Sequence, residues 1–270
     1  MSHFPRPTVF LRRCAIAGSL LCCAQQLPAE PALHAAWQAL ATAAPREARD
    51  RFQQQAGPAE ARLGEALATL QTPPTTPESI ARARQLLAGI AAETATTTAR
   101  AARYYLGRTY QLDPFAPDPA RAAQTYETLL AAGADDFWSG LARTKLALLT
   151  LTILPDREDF DARLARAEAL LAGTANPATR RDLHLVLAEA RLYHGRRDET
   201  TLQHLNTAAA GNDFDEMMLA DLLIQRARLS ASLGHHGDAR SLYREFLHRF
   251  PKDHRRYTVG AQLRELEAGP

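Results

Sequence analysis

Histidine is the residue of this sequence best suited to bind a metal ion or to transfer a proton, and its spacing decides whether it does so. The chain has nine histidines. His235 and His236 are adjacent, so their side chains diverge, and no carboxylate lies beside them at the spacing of a zinc-binding helix. His184 and His194 are separated on one predicted helix by roughly 15 Å of rise. The spacing therefore predicts no metal site and favours polar surface positions.

Acidic and hydroxyl side chains give no catalytic pattern either. Asp135-Asp136 stands where a helix is predicted to begin, so helix capping explains it better than a pair of catalytic carboxylates. The acidic stretch 212–216 lacks the glycine and the distal glutamate of a calcium loop. No phosphate-binding glycine loop and no serine between glycines occurs. The sequence therefore predicts a protein that is not an enzyme, with no cofactor and no metal.

Composition indicates a helical, folded protein. Of 270 residues, 46% are hydrophobic but only 7% are aromatic, and Ala and Leu supply most of the apolar surface. Thirty-two Lys and Arg against 30 Asp and Glu give a net charge of +2, and the two signs interleave along the chain. This pattern argues against nucleic acid as a partner, because phosphate binding needs clustered positive charge. It also argues against a disordered chain, an integral membrane protein and a disulfide scaffold.

Residues 1–24 are predicted to be a signal peptide. Arg6, Arg12 and Arg13 precede a short apolar run that ends at Ala24, and about eleven apolar residues are too few to span a bilayer, which needs roughly 20. Cleavage after Ala24 fits the small residues there, with Ala29 as a second cleavage position. The expected location is periplasmic or secreted.

All three cysteines, Cys14, Cys22 and Cys23, lie inside this segment, so cleavage leaves a mature chain without thiols. In an alternative interpretation, Leu20-Leu21-Cys22-Cys23 resembles a bacterial lipobox. Cys23 would then be lipidated, and the protein would be a membrane-anchored lipoprotein.

The rest of the chain is predicted to be helical, because apolar residues recur at helical spacing and no long alternating strand pattern appears. Four helix starts share a capping residue directly before a proline: Gly57-Pro58, Thr76-Pro77, Asp118-Pro119 and Asn176-Pro177. The predicted helices are 31–55, 58–71, 77–92, 96–112, 118–132, 136–153, 157–172, 178–194, 197–210, 215–233, 236–249 and 254–267.

From residue 58 these helices pair into hairpins that begin about every 40 residues. Each hairpin has one apolar stripe that only a neighbouring hairpin can bury. The sequence therefore predicts an all-α solenoid of antiparallel helix hairpins. Its expected domains are a signal peptide at 1–24, an N-terminal linker or capping helix at 25–57, about five hairpins at 58–253 and a C-terminal capping helix at 254–270.

The last predicted hairpin resembles a tetratricopeptide repeat (TPR). In that family a small residue on the first helix meets a small residue and an aromatic on the second, and a proline ends the hairpin. The matching residues are Ala227, Gly234, Ala239, Tyr243, Phe246 and Pro251. A second hairpin has Leu106-Gly107, Tyr110, Ala122 and Tyr126, and a third has Leu187-Ala188 with Thr200 where alanine is expected. The resemblance implies a right-handed superhelix and a function in protein binding.

In TPR arrays the first helix of each hairpin lines the concave surface that binds a partner segment. Carried over by this resemblance, the partner-binding residues are Tyr104, Arg108, Gln111, Asp182, Glu189, Tyr193, Asp221 and Arg228. Solvation of the charged residues and packing of the tyrosines are the alternative explanation. Tyr126, Trp138, Tyr243 and Phe246 are predicted to be core residues.

The sequence thus predicts an exported, non-enzymatic, TPR-like scaffold of the bacterial cell envelope that binds a protein or a peptide. The alternative is an accessory subunit of an envelope assembly or peptidoglycan-modifying complex. A third function, carbohydrate binding, would need more aromatic platforms than the sequence offers.

Overall fold

The computed structural model describes residues 31–55, 57–93, 96–154, 159–211 and 214–268. Within these ranges the secondary structure is entirely helical, and no helix there is both long and apolar enough to cross a bilayer. The helices are α1 Pro31–Ala41, α2 Pro45–Gln54, α3 Ala59–Gln71, α4 Pro77–Ala91, α5 Thr97–Gln111, α6 Pro119–Leu130, α7 Phe137–Thr152, α8 Phe160–Ala172, α9 Pro177–Tyr193, α10 Glu199–Ala209, α11 Glu216–Ser232, α12 His236–Arg249 and α13 Arg256–Ala268.

Three of the four helix starts that were predicted directly before a proline are confirmed. Thr76, Asp118 and Asn176 each accept a hydrogen bond from a backbone N–H three residues later, at 2.9–3.2 Å. Asp136 caps α7 in the same way, through Ser139 N at 3.0 Å. These short side chains satisfy N–H groups that the first turn of a helix leaves without a partner.

The single helix predicted for 31–55 is wrong, because the chain forms two helices there, α1 and α2. Ala43 adopts φ of 60°, which an α-helix does not tolerate, and Pro45 then begins α2. The segment expected to be a linker or one capping helix is therefore a helix hairpin.

The chain divides into two compact units. Unit 1 contains α1 to α6 and α7 as far as Leu149, and unit 2 contains α8 to α13. In unit 1, consecutive helices pack against each other from α1 through to α6, and α3 also contacts α1 and α5. In unit 2, α8 to α13 pack in series. Within each unit, series packing of helix hairpins confirms the predicted TPR-like helical repeat, and the right-handed superhelix stays a prediction.

Unit 1 is built around close contacts between glycine and aromatic residues. An ideal Cβ at Gly107 of α5 would lie 2.4 Å from the Tyr126 ring of α6, so only glycine permits this approach. The same relation joins Gly64 of α3 to Phe52 of α2, at 2.3 Å. The small-residue and aromatic contact that defines the predicted repeat is therefore present inside the hairpin of α5 and α6, and a similar contact that was not predicted joins α2 to α3.

Unit 2 has an apolar core between α11, α12 and α13. Ala227, Tyr243 and Phe246 are buried there together with Val259 and Leu263 of α13. The predicted roles of Ala227, Tyr243 and Phe246 are confirmed. The last helix buries its apolar side on the final hairpin, as expected of a capping helix.

The predicted repeat alignment of the third hairpin is wrong by one residue on α10. Thr200 is exposed, whereas Thr201 is fully buried and takes the small position on α10. Thr201 Oγ1 accepts from Arg191 Nε at 3.0 Å and donates to Asp198 Oδ1 at 2.9 Å, and Asp198 also pairs with Arg191 Nη2 at 2.9 Å. A buried polar side chain is tolerated here because its hydroxyl is satisfied.

Candidate functional site

Tyr104, predicted as a partner contact, is almost fully buried by helix packing, and it also lines the pocket described below. Its side chain is 1% exposed, and its ring lies against Tyr105, Tyr126 and Trp138 with centroids 5.3–6.0 Å apart. Trp138, from the first turn of α7, and Tyr126, from α6, cover Tyr104 from two helices. Tyr104 and Arg108 are four residues apart, so helical spacing placed them on the same face of α5. It could not show that Tyr104 is buried, because α6 and α7, which cover it, follow later in the chain.

Arg108 and Arg228 follow the small residue of their first helices, and both contact the tyrosine of the second helix. Arg108 forms a hydrogen bond with Tyr126 and donates from Nη1 to Gln111 Oε1 at 3.0 Å, while Tyr126 Oη donates to the same oxygen at 3.2 Å. Burial raises the pKa of Tyr243, and the nearby Arg228 acts against that rise. These residues were predicted either to bind a partner or to be solvated, and the structure places both of them beside the tyrosine of their own hairpin.

A pocket of about 210 Å³ opens in unit 1 between α3, α4, α5 and the loop after α5. Apolar side chains supply most of its wall, among them Leu70, Tyr105 and Leu112, and Arg108 lies at its edge with 9% of its surface exposed. Small-molecule sites usually measure roughly 300–1,000 Å³. The pocket is therefore better matched to one bulky side chain than to a cofactor.

The loop beside this pocket carries exposed apolar residues in a fixed conformation. Leu112 and Phe115 are 43% and 55% exposed. Asp113, between them, pairs with Arg84 Nη2 at 2.9 Å and accepts from Phe115 N and Ala116 N at 2.9 and 3.0 Å. Burial raises the pKa of Asp113, but the two backbone N–H groups and Arg84 outweigh burial and lower the pKa overall. The anion thus stabilises the loop.

Arg84 joins the loop to α4 and α5 as well. Its Nη2 also donates to Thr109 O at 2.7 Å, and its guanidinium lies 4.4 Å from the centre of the Tyr110 ring. Because Arg84 ties the loop carboxylate of Asp113 to Thr109 of α5, the loop presents Phe115 without a large ordering cost on binding.

Charge acts between the predicted residues Glu189 and Asp221 of unit 2. Burial raises the pKa of Glu189 to about 8, and the nearby Asp221 adds to the rise. Asp221 pairs with Arg255, which also bonds Asp253 at 2.7 Å. The charge of Asp221, on the first helix of the next hairpin, therefore acts on Glu189.

Two other predicted residues of unit 2, Asp182 and Tyr193, also lie on α9. Asp182, at the start of α9, pairs with Arg181 at 2.7 Å. Tyr193, at the end of α9, is 65% exposed, in agreement with its predicted position on the surface. Gln225, one turn after Asp221, was not predicted, and its Oε1 is buried without a hydrogen-bond partner among the described residues.

A histidine pair was also missed by the sequence analysis. His184 of α9 and His204 of α10 approach with their Nδ1 atoms 2.8 Å apart, so one ring donates to the other. Burial lowers the pKa of His204 to about 4, with smaller contributions from His184 and Arg191, and burial followed by Arg180 lowers the pKa of His184. Both rings are therefore neutral at pH 7. The two histidines are 20 residues apart and lie on different helices, so periodicity within one helix could not predict that they meet.

No cluster of three or more His, Cys, Asp or Glu side chains able to hold a metal ion occurs in the ranges described above. Cys23 and the predicted signal peptide lie outside the described residues, as do Asn212 and Asp213 of the acidic stretch. Asp215, from the same stretch, caps α11 by accepting from Met218 N at 2.8 Å.

Comparison with solved structures finds a fold similarity. A crystal structure of a thermophilic TPR protein from Thermus thermophilus aligns with 88% of this chain and 97% of its own, with 20% identity and a TM-score of 0.40. No protein-family model matches the chain. No curated protein matches it either. The TPR-like assignment of the fold therefore stands on the hairpin contacts themselves.

Proposed function

We propose that this protein is a non-enzymatic scaffold of the cell envelope that binds a segment of another protein. The observation that carries the binding function is the apolar pocket of unit 1 beside the fixed, exposed Leu112 and Phe115. Exposed apolar side chains around a small cavity are typical of the anchoring point of a protein interface. A bulky apolar side chain of the partner would enter the pocket, and the exposed Leu112 and Phe115 would contact the partner beside it.

Position-specific cross-linking tests this binding site. A photoreactive residue replaces Phe115 in unit 1 or, as a control, Tyr257 of α13, which is also well exposed. We expect a discrete protein adduct from position 115 in native envelopes, and we expect it to weaken when Leu112→Ser removes part of the pocket wall. Equal labelling from both positions, or an adduct unaffected by Leu112→Ser, would contradict the proposal.

We further propose that the protein is exported, with residues 1–24 removed. The basic start and short apolar run of the sequence support this location. Mass spectrometry of the mature N-terminus tests it. A chain that starts at Gln25 supports a soluble periplasmic or secreted scaffold, a diacylated Cys23 supports a lipid-anchored subunit of an envelope complex, and an intact Met1 contradicts export.

A further inference from the structure

The pocket of unit 1 has an apolar floor and an exposed mouth. Four side chains of its wall are only 1–4% exposed and form the floor: Leu67, Ile80, Tyr104 and Tyr105. Thr75 and Leu112 also line the pocket but are exposed, so they belong to the mouth. A side chain of a partner that enters the pocket therefore passes Thr75 and Leu112 and ends against apolar groups.

The volume of the pocket favours a bicyclic aromatic guest. An apolar cavity of about 150 Å³ is known to bind benzene, so indole, with half as many ring atoms again, needs about 225 Å³. The pocket measures about 210 Å³. A leucine or phenylalanine side chain would leave part of this space empty, and wall atoms beside an empty space lose their packing contacts. The volume therefore matches an indole ring better than a smaller side chain.

The mouth of the pocket offers a hydroxyl group that a guest can reach. Thr109 Oγ1, elsewhere in the wall, already donates to Leu106 O at 2.7 Å and accepts from Arg84 Nε at 3.2 Å. Asp113 is bonded by Arg84 and by two backbone N–H groups. The side chain of Thr75, by contrast, is exposed and forms no hydrogen bond with the described residues. Its hydroxyl oxygen can therefore accept an N–H from a guest.

Tryptophan fits this arrangement better than tyrosine. The N–H of tryptophan belongs to the five-membered ring, which is joined to the backbone, so it stays near the mouth while the six-membered ring reaches the floor. The hydroxyl of tyrosine lies at the far end of its ring and would meet apolar groups such as Leu67 and Ile80. A buried hydroxyl without a hydrogen bond is unfavourable.

We propose that this pocket binds a tryptophan side chain of a protein partner and that the indole N–H donates to the Thr75 hydroxyl, an inference that rests on the proposed scaffold function. The exposed Leu112 then contacts the partner chain beside the tryptophan. The pocket thus selects the partner by the size of one aromatic side chain and by the position of its N–H.

NMR titration of the full chain with small ring compounds tests the inference. The probes are indole and benzofuran, which has the same shape but an oxygen in place of the N–H. The readout is the indole N–H signals of the two tryptophans of the chain. Trp138 lies 5.8 and 5.7 Å from the rings of Tyr104 and Tyr105, measured between centroids, whereas Trp37 bonds Glu60 at the other end of α3.

We expect indole to shift the Trp138 signal saturably, with a Kd on the order of 0.1–1 mM, and to leave the Trp37 signal unchanged. Benzofuran should bind about fivefold more weakly, because it cannot donate a hydrogen bond. Blocked tripeptides Gly-X-Gly extend the test to side chains. The tryptophan peptide should bind at least about fivefold more tightly than the tyrosine, phenylalanine and leucine peptides.

Thr75→Val assigns the selectivity to the hydroxyl group. Valine keeps the shape of threonine and the position is exposed, so the variant should fold normally and bind benzofuran like the wild type. It should bind indole about fivefold more weakly than the wild type does. Thr200→Val, at an exposed position of unit 2, should change neither affinity.

Four results would overturn the inference. They are no saturable shift of the Trp138 signal, an unchanged preference for indole in Thr75→Val, equal binding of the four tripeptides, and tightest binding of the tyrosine peptide. The last result would assign the phenol oxygen to Gln71, which also lines the pocket and whose buried Nε2 has no hydrogen-bond partner among the described residues.

The scaffold proposal is tested separately. If cross-linking from position 115 captures a protein but the tryptophan peptide binds no better than the leucine peptide, the scaffold stands and the tryptophan site is refuted. If indole and the tryptophan peptide bind as expected but position 115 gives no specific adduct, the preference of the pocket for an indole ring stands and the scaffold function proposed for this surface is refuted.

Discussion

The contact of α5 with α6 at Gly107 allows a quantitative prediction for Gly107→Ala. A Cβ at this position would lie 2.4 Å from Tyr126 Cε1 and 2.9 Å from Cδ1 and from Cζ. The Tyr126 ring has little room to yield, because it is fully buried beside Tyr104 and its Oη bonds Gln111. The alanine must therefore push the two helices apart.

The expected net cost is about 1–2 kcal/mol of unfolding free energy. Overpacking of this kind typically costs about 1–3 kcal/mol, and the better helix propensity of alanine returns up to about 1 kcal/mol. The assay is urea unfolding followed by tryptophan fluorescence. Trp37 and Trp138, the two tryptophans of the chain, both belong to unit 1, so their signal reports the unit that contains the substitution.

Gly89 of α4 provides the matched control. A Cβ there meets no atom within 4 Å, so Gly89→Ala should stabilise unit 1 by about 0.5–1 kcal/mol through helix propensity alone. In a Tyr126→Leu background the penalty of Gly107→Ala should shrink, since the ring that it strikes is gone. If both alanines stabilised the protein equally, the close approach of α5 and α6 would be refuted.

Three more predictions concern other parts of the fold. Gly64→Ala should destabilise unit 1 by about 1–2 kcal/mol through contact with Phe52, and fluorescence unfolding no different from wild type would contradict the α2 and α3 packing. Asp113→Ala should release the loop after α5 and increase its proteolysis several-fold, whereas unchanged proteolysis would show that the ion pair with Arg84 is dispensable. The folded-state pKa values of His184 and His204 lie below 6.5, so the unfolded chain binds more protons in acid. Stability should be complete above about pH 6.5 and fall by roughly 2–3 kcal/mol toward pH 4. Circular dichroism of urea unfolding between pH 4 and 7.5 measures this fall, and a wild-type profile identical to that of His204→Gln would contradict it.

Local chemistry made the helices predictable from sequence. Thr76, Asp118 and Asn176 stand directly before prolines, and a capping oxygen and a fixed φ act within one turn of chain. The break at Ala43 was missed although Pro45 marks a helix start two residues later, because alanine favours a helix and no glycine marks the left-handed residue. The pattern of Ala227, Tyr243 and Phe246 was likewise readable, since its partners lie within one hairpin.

The candidate site was less predictable, because it depends on contacts between hairpins. Helical spacing selected Tyr104 and Glu189 correctly as residues of first helices. It could not show that Trp138 covers Tyr104, or that the charge of Asp221 from the next hairpin acts on Glu189. The pocket was missed for the same reason, since α3, α4, α5 and the loop after α5 all contribute to its wall.

The sequence by itself thus determined the all-α class, most helix boundaries and the small-residue and aromatic contacts inside hairpins. Only the tertiary structure decided which first-helix residues are core, which are paired and which line a pocket. The physical reason is range: capping and periodicity act over one or two turns, whereas burial and the pKa of a carboxyl group such as Glu189 depend on helices far away in the chain.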